Sequence, residues 1–162
     1  MLLKSTCRNM RYSVNRKMEK REDQFDLQRF VDAQIPVFDR VCKELRAGHK
    51  QTHWMWFIFP QLAGLGSSAM AERYAISGKP EAEAYLAHQI LGTRLRQCTQ
   101  LVNEVEGRSV HEIFGYPDEL KFHSSMTLFA QTVPHEKLFA DALQKYFGDQ
   151  LDRQTLVLLE TS

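Results

Sequence analysis

Long apolar runs, paired cysteines, biased charge and low-complexity linkers are all missing or scarce in this sequence, and each shortage excludes a class of protein. No stretch approaches the roughly 18 consecutive apolar residues that a membrane-spanning helix needs, so the run Trp54 to Phe59 is assigned to a core or a pocket. The 3 cysteines, Cys7, Cys42 and Cys98, are odd in number and widely spaced, with no C-x-x-C pair. That spacing argues against both a disulfide framework and a cysteine zinc site, and it fits a reducing cytoplasm. A chain of 162 residues is the size of one domain and no low-complexity linker divides it, so one domain is expected.

The near-neutral net charge of +1 conceals an asymmetry. Residues 1–17 carry Lys4, Arg8, Arg11, Arg16 and Lys17 and no acid; the remainder has 16 basic and 20 acidic residues, a net of −4. Residues 1–24 are therefore expected to be a disordered basic leader, or an upstream extension of a chain whose natural start is Met18. An acidic body argues against duplex binding, leaving nucleic acid to that leader alone.

Apolar positions fall at helical spacing over residues 25–162, and no segment alternates convincingly as a strand. Asp26 is expected to cap a first helix, and Pro36 to break it ahead of "PVFDRVCKELRAG", which Gly48 ends. Ser67 or Ser68 should cap a short helix to about Ile76, and Pro80 should open the next. Leu91, Leu95, Cys98, Val102 and Val105 form one stripe, and Ser109 opens a single turn. Pro117 starts a helix with Phe122, Met126 and Phe129 inward; Pro134 starts another with Leu138, Ala142 and Phe147 inward; Asp152 caps the last. The expected architecture is a single compact all-α domain of about seven or eight short helices.

Three stretches, "HWMWFIFPQLAGLGSSAMAERYAI", "DLQRFVDAQ" and "DELKFHSSMTLF", resemble the bacterial family called domain of unknown function 1810, whose members have sometimes been labelled calpastatin-like. The similarity spans about residues 26–160. It implies a single all-helical domain in a small, mostly prokaryotic cytosolic protein, and it implies no reaction.

Candidate chemistry concentrates at two places. His49 and His53 are four apart, but the metalloprotease pattern needs an acid after the first histidine and Lys50 stands there, so no metal and no cofactor are expected. Trp54 and Trp56 can pack as core or flank a planar ligand, with His49, Lys50 and His53 as a polar rim. The turn "QLAGLGSS" offers backbone N–H groups and hydroxyls, though its spacing is not that of a P-loop. In "DELKFHSSMTLF", Asp118, Lys121 and Ser125 share a helical face with His123 and Ser124 beside it, and three helix-unfavourable hydroxyl residues so close together are a local cost that calls for a reason.

The expected ligand is therefore an anionic small molecule bearing a phosphate or a nucleotide, contacted by Lys50, His53, Lys121, Ser124 and Ser125 with Trp54 or Trp56 alongside. Asp118 or His123 would be the acid or base of any reaction. The alternative is a non-catalytic protein–protein interaction module.

Overall fold

The computed structural model describes residues 24–162. Ten helices run through them, seven of which have seven residues or more. They are α1 (Gln28–Gln34), α2 (Phe38–Arg46), α3 (Met55–Ile58), α4 (Ala69–Arg73), α5 (Lys79–Ala87), α6 (Gln89–Asn103), α7 (Val110–Phe114), α8 (Asp118–Thr132), α9 (Lys137–Phe147) and α10 (Arg153–Thr161). Among the described residues there is no strand, only an isolated parallel bridge between Leu62 and Ile76.

The two 15-residue helices, α6 and α8, organise the body. Both touch α3, α5 and α9; α6 also packs on α1 and α2, and α8 on α7 and α10. The stripe of α6 is interior as its spacing demands: Leu91, Cys98 and Val102 are 0% exposed and Leu95 1%. Gly92 makes the α5–α6 junction possible, because a Cβ there would lie 2.0 Å from the Leu86 carbonyl oxygen. That carbonyl accepts from Arg96 Nη1 at 3.1 Å, so the close approach also satisfies a helix-end acceptor.

Much of the punctuation is where sequence chemistry puts it. Ser68 Oγ accepts from the Ala71 N–H, Asp152 from the Thr155 N–H, and Ser109 forms a capping box with Glu112. Gly148 ends α9 in the left-handed region at φ 59°.

Four expectations are corrected. Asp26 does not cap α1: it sits at φ 50°, Leu27 holds the cap position, and the Arg29 guanidinium binds the carbonyls of Phe25 and Asp26, shaping this turn from the other side. The helix after Ser68 stops at Arg73 rather than near Ile76, because Ile76 exchanges backbone hydrogen bonds with Gln61 and Ala63 at 2.9 and 2.8 Å. On α9 the inward residues are Phe139, Ala142 and Leu143, with Leu138 and Phe147 only half-buried. Adjacent Leu138 and Phe139 make the helical phase ambiguous by one residue, and packing on α6 and α8 decides it. On α8, finally, Ser125 does not join Asp118 and Lys121 on an accessible polar face, since Ser125, like Thr127, is 0% exposed. With five helices around it α8 is interior on nearly every side: Thr132 Oγ1 donates back to the Leu128 carbonyl one turn earlier, Ser124 shares its one hydroxyl proton between the Leu120 carbonyl and Asp152 Oδ2, and Ser125 Oγ has no partner.

The basic leader of residues 1–17 and the proposed start at Met18 lie outside the described residues.

Candidate functional site

The loop that leads from α2 into α3 is held by one carboxylate. Glu44, buried on α2, accepts from the Gln51 N–H (2.9 Å), the Thr52 N–H (3.1 Å), Thr52 Oγ1 (2.7 Å) and Trp54 Nε1 (2.8 Å). Burial alone would raise its pKa, but those hydrogen bonds outweigh it and hold the carboxyl below the usual range. Trp54, Met55, Phe57, Ile58 and Phe59 are thereby seated in the core, and Trp56 alone of the run stays half-buried.

A depressed carboxyl stabilises the fold above the ordinary carboxylate pKa, and that contribution disappears as pH falls through the folded-state value. Glu44→Gln is therefore expected to cost about 2–3 kcal/mol at neutral pH, the gap to the wild type narrowing as pH falls below the ordinary carboxylate range and the wild-type carboxyl takes up its own proton. Urea unfolding across that range checks it, and a gap constant with pH would contradict the assignment.

Beside this loop the Asp118 carboxylate is shared by two ammonium groups: Lys50 Nζ lies 2.7 Å from Oδ2 and Lys121 Nζ 3.1 Å from Oδ1. Each ammonium also sits over an indole, Lys50 at 5.1 Å from the Trp54 ring and Lys121 at 4.8 Å from that of Trp56. The Lys50 backbone N–H is bonded to the Ile113 carbonyl at 2.7 Å, which ties the loop to α7.

Next to Lys121 opens a cleft of about 410 Å³ between the 61–68 turn and α8, closed on a third side by Asp152 and Gln154. Lys121, His123 and Ser124 line it, with Gln61, Ser67 and Ser68 facing them from the turn. Gly66 lets the turn fold tightly against α4, because a Cβ there would meet that of Ala71 at 2.6 Å. Ser68 Oγ accepts from the Ala71 N–H, leaving its hydroxyl proton unspent. His123 is stacked on Phe147, ring centroids 4.0 Å apart, and its Nε2 lies 2.7 Å from the Gln150 carbonyl. A carbonyl only accepts, so Nε2 carries the proton and Nδ1 is the ring atom left to take another.

Of the residues singled out in the sequence, Lys121, Ser124 and His123 therefore meet on one concave surface, with Trp56 under the Lys121 ammonium. The others are placed elsewhere. Lys50 is committed to Asp118 with its side chain 8% exposed; Trp54 is core at 1%; Ser125 is fully buried with its Oγ unpartnered; and His53 is exposed on the loop, outside the cleft lining. His49 and His53 lie on a loop rather than a helix, so their spacing does not put two imidazoles on one face. Asp118 has both oxygens occupied by cations and lies outside the cleft lining, which leaves His123 the better placed proton acceptor of the two. Sequence reasoning missed Glu44 and Asp152. Asp152 Oδ2 accepts from Ser124 Oγ (2.9 Å), from the Thr155 N–H (3.2 Å) and from Thr155 Oγ1, and its N-cap position was the available signal.

A family described as protein of unknown function (DUF1810) matches residues 24–159, which takes in both helical pillars, the Glu44 loop and the cleft. The chain belongs to this family. The fold of the family is also seen in the crystal structure of the conserved hypothetical protein Rv1873 from Mycobacterium tuberculosis, which is 58% identical to this chain. The two superpose with a TM-score of 0.85 over 86% of this chain and 100% of the other. No curated protein matches the chain significantly. Among the described residues, no helix is long and apolar enough to cross a membrane.

Proposed function

We propose that this member of the family binds a small anionic molecule, phosphate-bearing or nucleotide-like, in the cleft between the 61–68 turn and α8. The observation that carries the reading is the charge balance at its edge. Lys50 and Lys121 share the single carboxylate of Asp118, so the trio keeps one excess positive charge, and Lys121 presents it where the cleft opens. An anionic group there would gain Lys121 together with the unspent hydroxyl proton of Ser68, and Ser67 stands beside it. Trp56, half-buried beneath that ammonium, lies outside the cleft lining, so it would flank a planar part of the ligand only where the ligand extends past Lys121.

Asp152 also lines the cleft, but its Oδ2 is spread over three hydrogen-bond donors, so the anion belongs at the Lys121 end. The cleft volume lies inside the range of roughly 300–1,000 Å³ typical of small-molecule sites. If the bound molecule is also transformed, His123 Nδ1 is the proton acceptor. Three-cysteine usage without a paired motif points to a reducing, cytosolic setting.

The test is thermal unfolding of the full chain against inorganic phosphate, sugar phosphates and nucleotides, repeated on Lys121→Ala. A ligand at about 100 times its dissociation constant adds about 2.7 kcal/mol, a rise of roughly 5–10 °C for a domain of this size. The expected result is such a rise for at least one phosphate-bearing compound and its loss in Lys121→Ala. A folded protein with no shift across the panel would overturn the reading. It would favour a protein partner covering the exposed Tyr116 (75%), Leu120 (52%) and Val157 (53%).

A further inference from the structure

The cleft beside Lys121 has a second chemical end. Asp152 lines it, and its carboxylate is held in one pose: Oδ2 accepts from Ser124 Oγ, from the Thr155 N–H and from Thr155 Oγ1, while the Asp152 N–H donates to Thr127 Oγ1 at 2.9 Å. Oδ1 is left over. Among the described residues no donor reaches that oxygen and no cation pairs with the carboxylate. His123, also in the lining, adds Nδ1 as a second acceptor, since Nε2 gives its proton to the Gln150 carbonyl.

A phosphate ester, mostly dianionic at neutral pH, has no proton for these acceptors and is repelled by the carboxylate. The donors have to come from the rest of the molecule. Hydroxyl groups fit better than an amine, because a hydroxyl donates to a carboxylate and still accepts, and the side-chain amides of Gln61 and Gln154 stand in the same lining with N–H groups to give. An ammonium only donates, so it would leave those N–H groups unanswered. A nucleobase gains less here: no Trp, Tyr or Phe is among the residues that line the cleft, and the one ring that does, His123, already spends a face on Phe147. Leu65 and Leu120 offer instead an apolar edge for the C–H face of a sugar.

Resting on the anion site proposed above, we propose that the cleft takes a phosphorylated polyol, with its phosphate at Lys121 and Ser68 and a hydroxyl of the same molecule donating to Asp152 Oδ1. Asp152 is then the residue that separates a sugar phosphate from a simple phosphate ester.

The experiment is titration calorimetry of the full chain with methyl phosphate, phosphoethanolamine and the terminal phosphates of glycerol, ribose and glucose, repeated on Lys121→Ala and Asp152→Ser. Serine also caps helices, so Asp152→Ser keeps the start of α10 while withdrawing Oδ1. At least one of the three polyol phosphates is expected to bind roughly tenfold or more tightly than methyl phosphate, the worth of one hydrogen bond to a charged group. In Asp152→Ser that margin should shrink to about twofold or less, with methyl phosphate bound as well as before. Methyl phosphate binding through Lys121 as tightly as every polyol phosphate overturns this inference and leaves the anion site standing. So does phosphoethanolamine binding tightest of the panel, or a margin that survives in Asp152→Ser. No binding by any of the five, or equal binding in Lys121→Ala, removes the anion site itself and this inference with it. Should Asp152→Ser not fold, the wild-type ranking of polyol phosphates against methyl phosphate and phosphoethanolamine decides alone.

Discussion

Trp54→Ala is expected to lower the stability of the domain by about 3–5 kcal/mol, measured as a fall in the urea midpoint with little change in slope. The indole is 1% exposed, packs against Phe59 at a centroid distance of 6.3 Å and lies under the Lys50 ammonium. Removing it opens a cavity at the head of the aromatic cluster in which Phe59, Phe114 and Phe122 meet at 4.8–5.9 Å. It also takes one of the four donors away from Glu44. Trp54→Phe separates the two losses, because it keeps most of the buried area and removes only the N–H. That change is expected to cost about 1–2 kcal/mol. A folded Trp54→Ala protein of near-native stability would mean that the loop, and not the ring, carries this part of the fold.

A loss of similar size is expected for Arg29→Met. The Arg29 guanidinium is bonded to Glu81 Oε1 at 2.7 Å and to the carbonyls of Arg73 and Ala75 at 2.9 Å, besides those of Phe25 and Asp26. Glu81 is 3% exposed, and its other oxygen accepts from the N–H and hydroxyl of Ser77. Removing the cation leaves a buried carboxylate with no opposite charge, which costs about 3–5 kcal/mol, a drop of roughly 6–20 °C in Tm. The double change Arg29→Met with Glu81→Gln removes the stranded charge and should recover part of the loss. If the single and double variants melt together, the ion pair is not what joins the α1 entry to the start of α5.

The contrast between these two residues shows what sequence makes legible. Burial of Trp54 could be expected from the run of large apolar residues around it, whereas nothing near Arg29 in sequence points to Glu81, 52 positions away. Ser124 and His123 were visible as candidates because polar groups crowd a short segment; Glu44, equally polar, was hidden in an ordinary amphipathic helix. Its role depends on a loop folding back over that helix, which local spacing does not encode.

Helix type, the caps at Ser109 and Asp152, the stop at Gly148 and the inward stripe of α6 were determined by sequence alone, because each depends on residues within a turn or two of one another; the choice of Ser68 over Ser67 as a cap was not. Tertiary structure alone decided which of Leu138 and Phe139 faces in, that Ser125 is core while Lys121 borders a cleft, and that two lysines share Asp118. The reason is that burial and charge pairing belong to neighbours in space: a helical phase offers a residue a direction, and only the elements packed against it determine whether that direction holds protein, another charge or solvent.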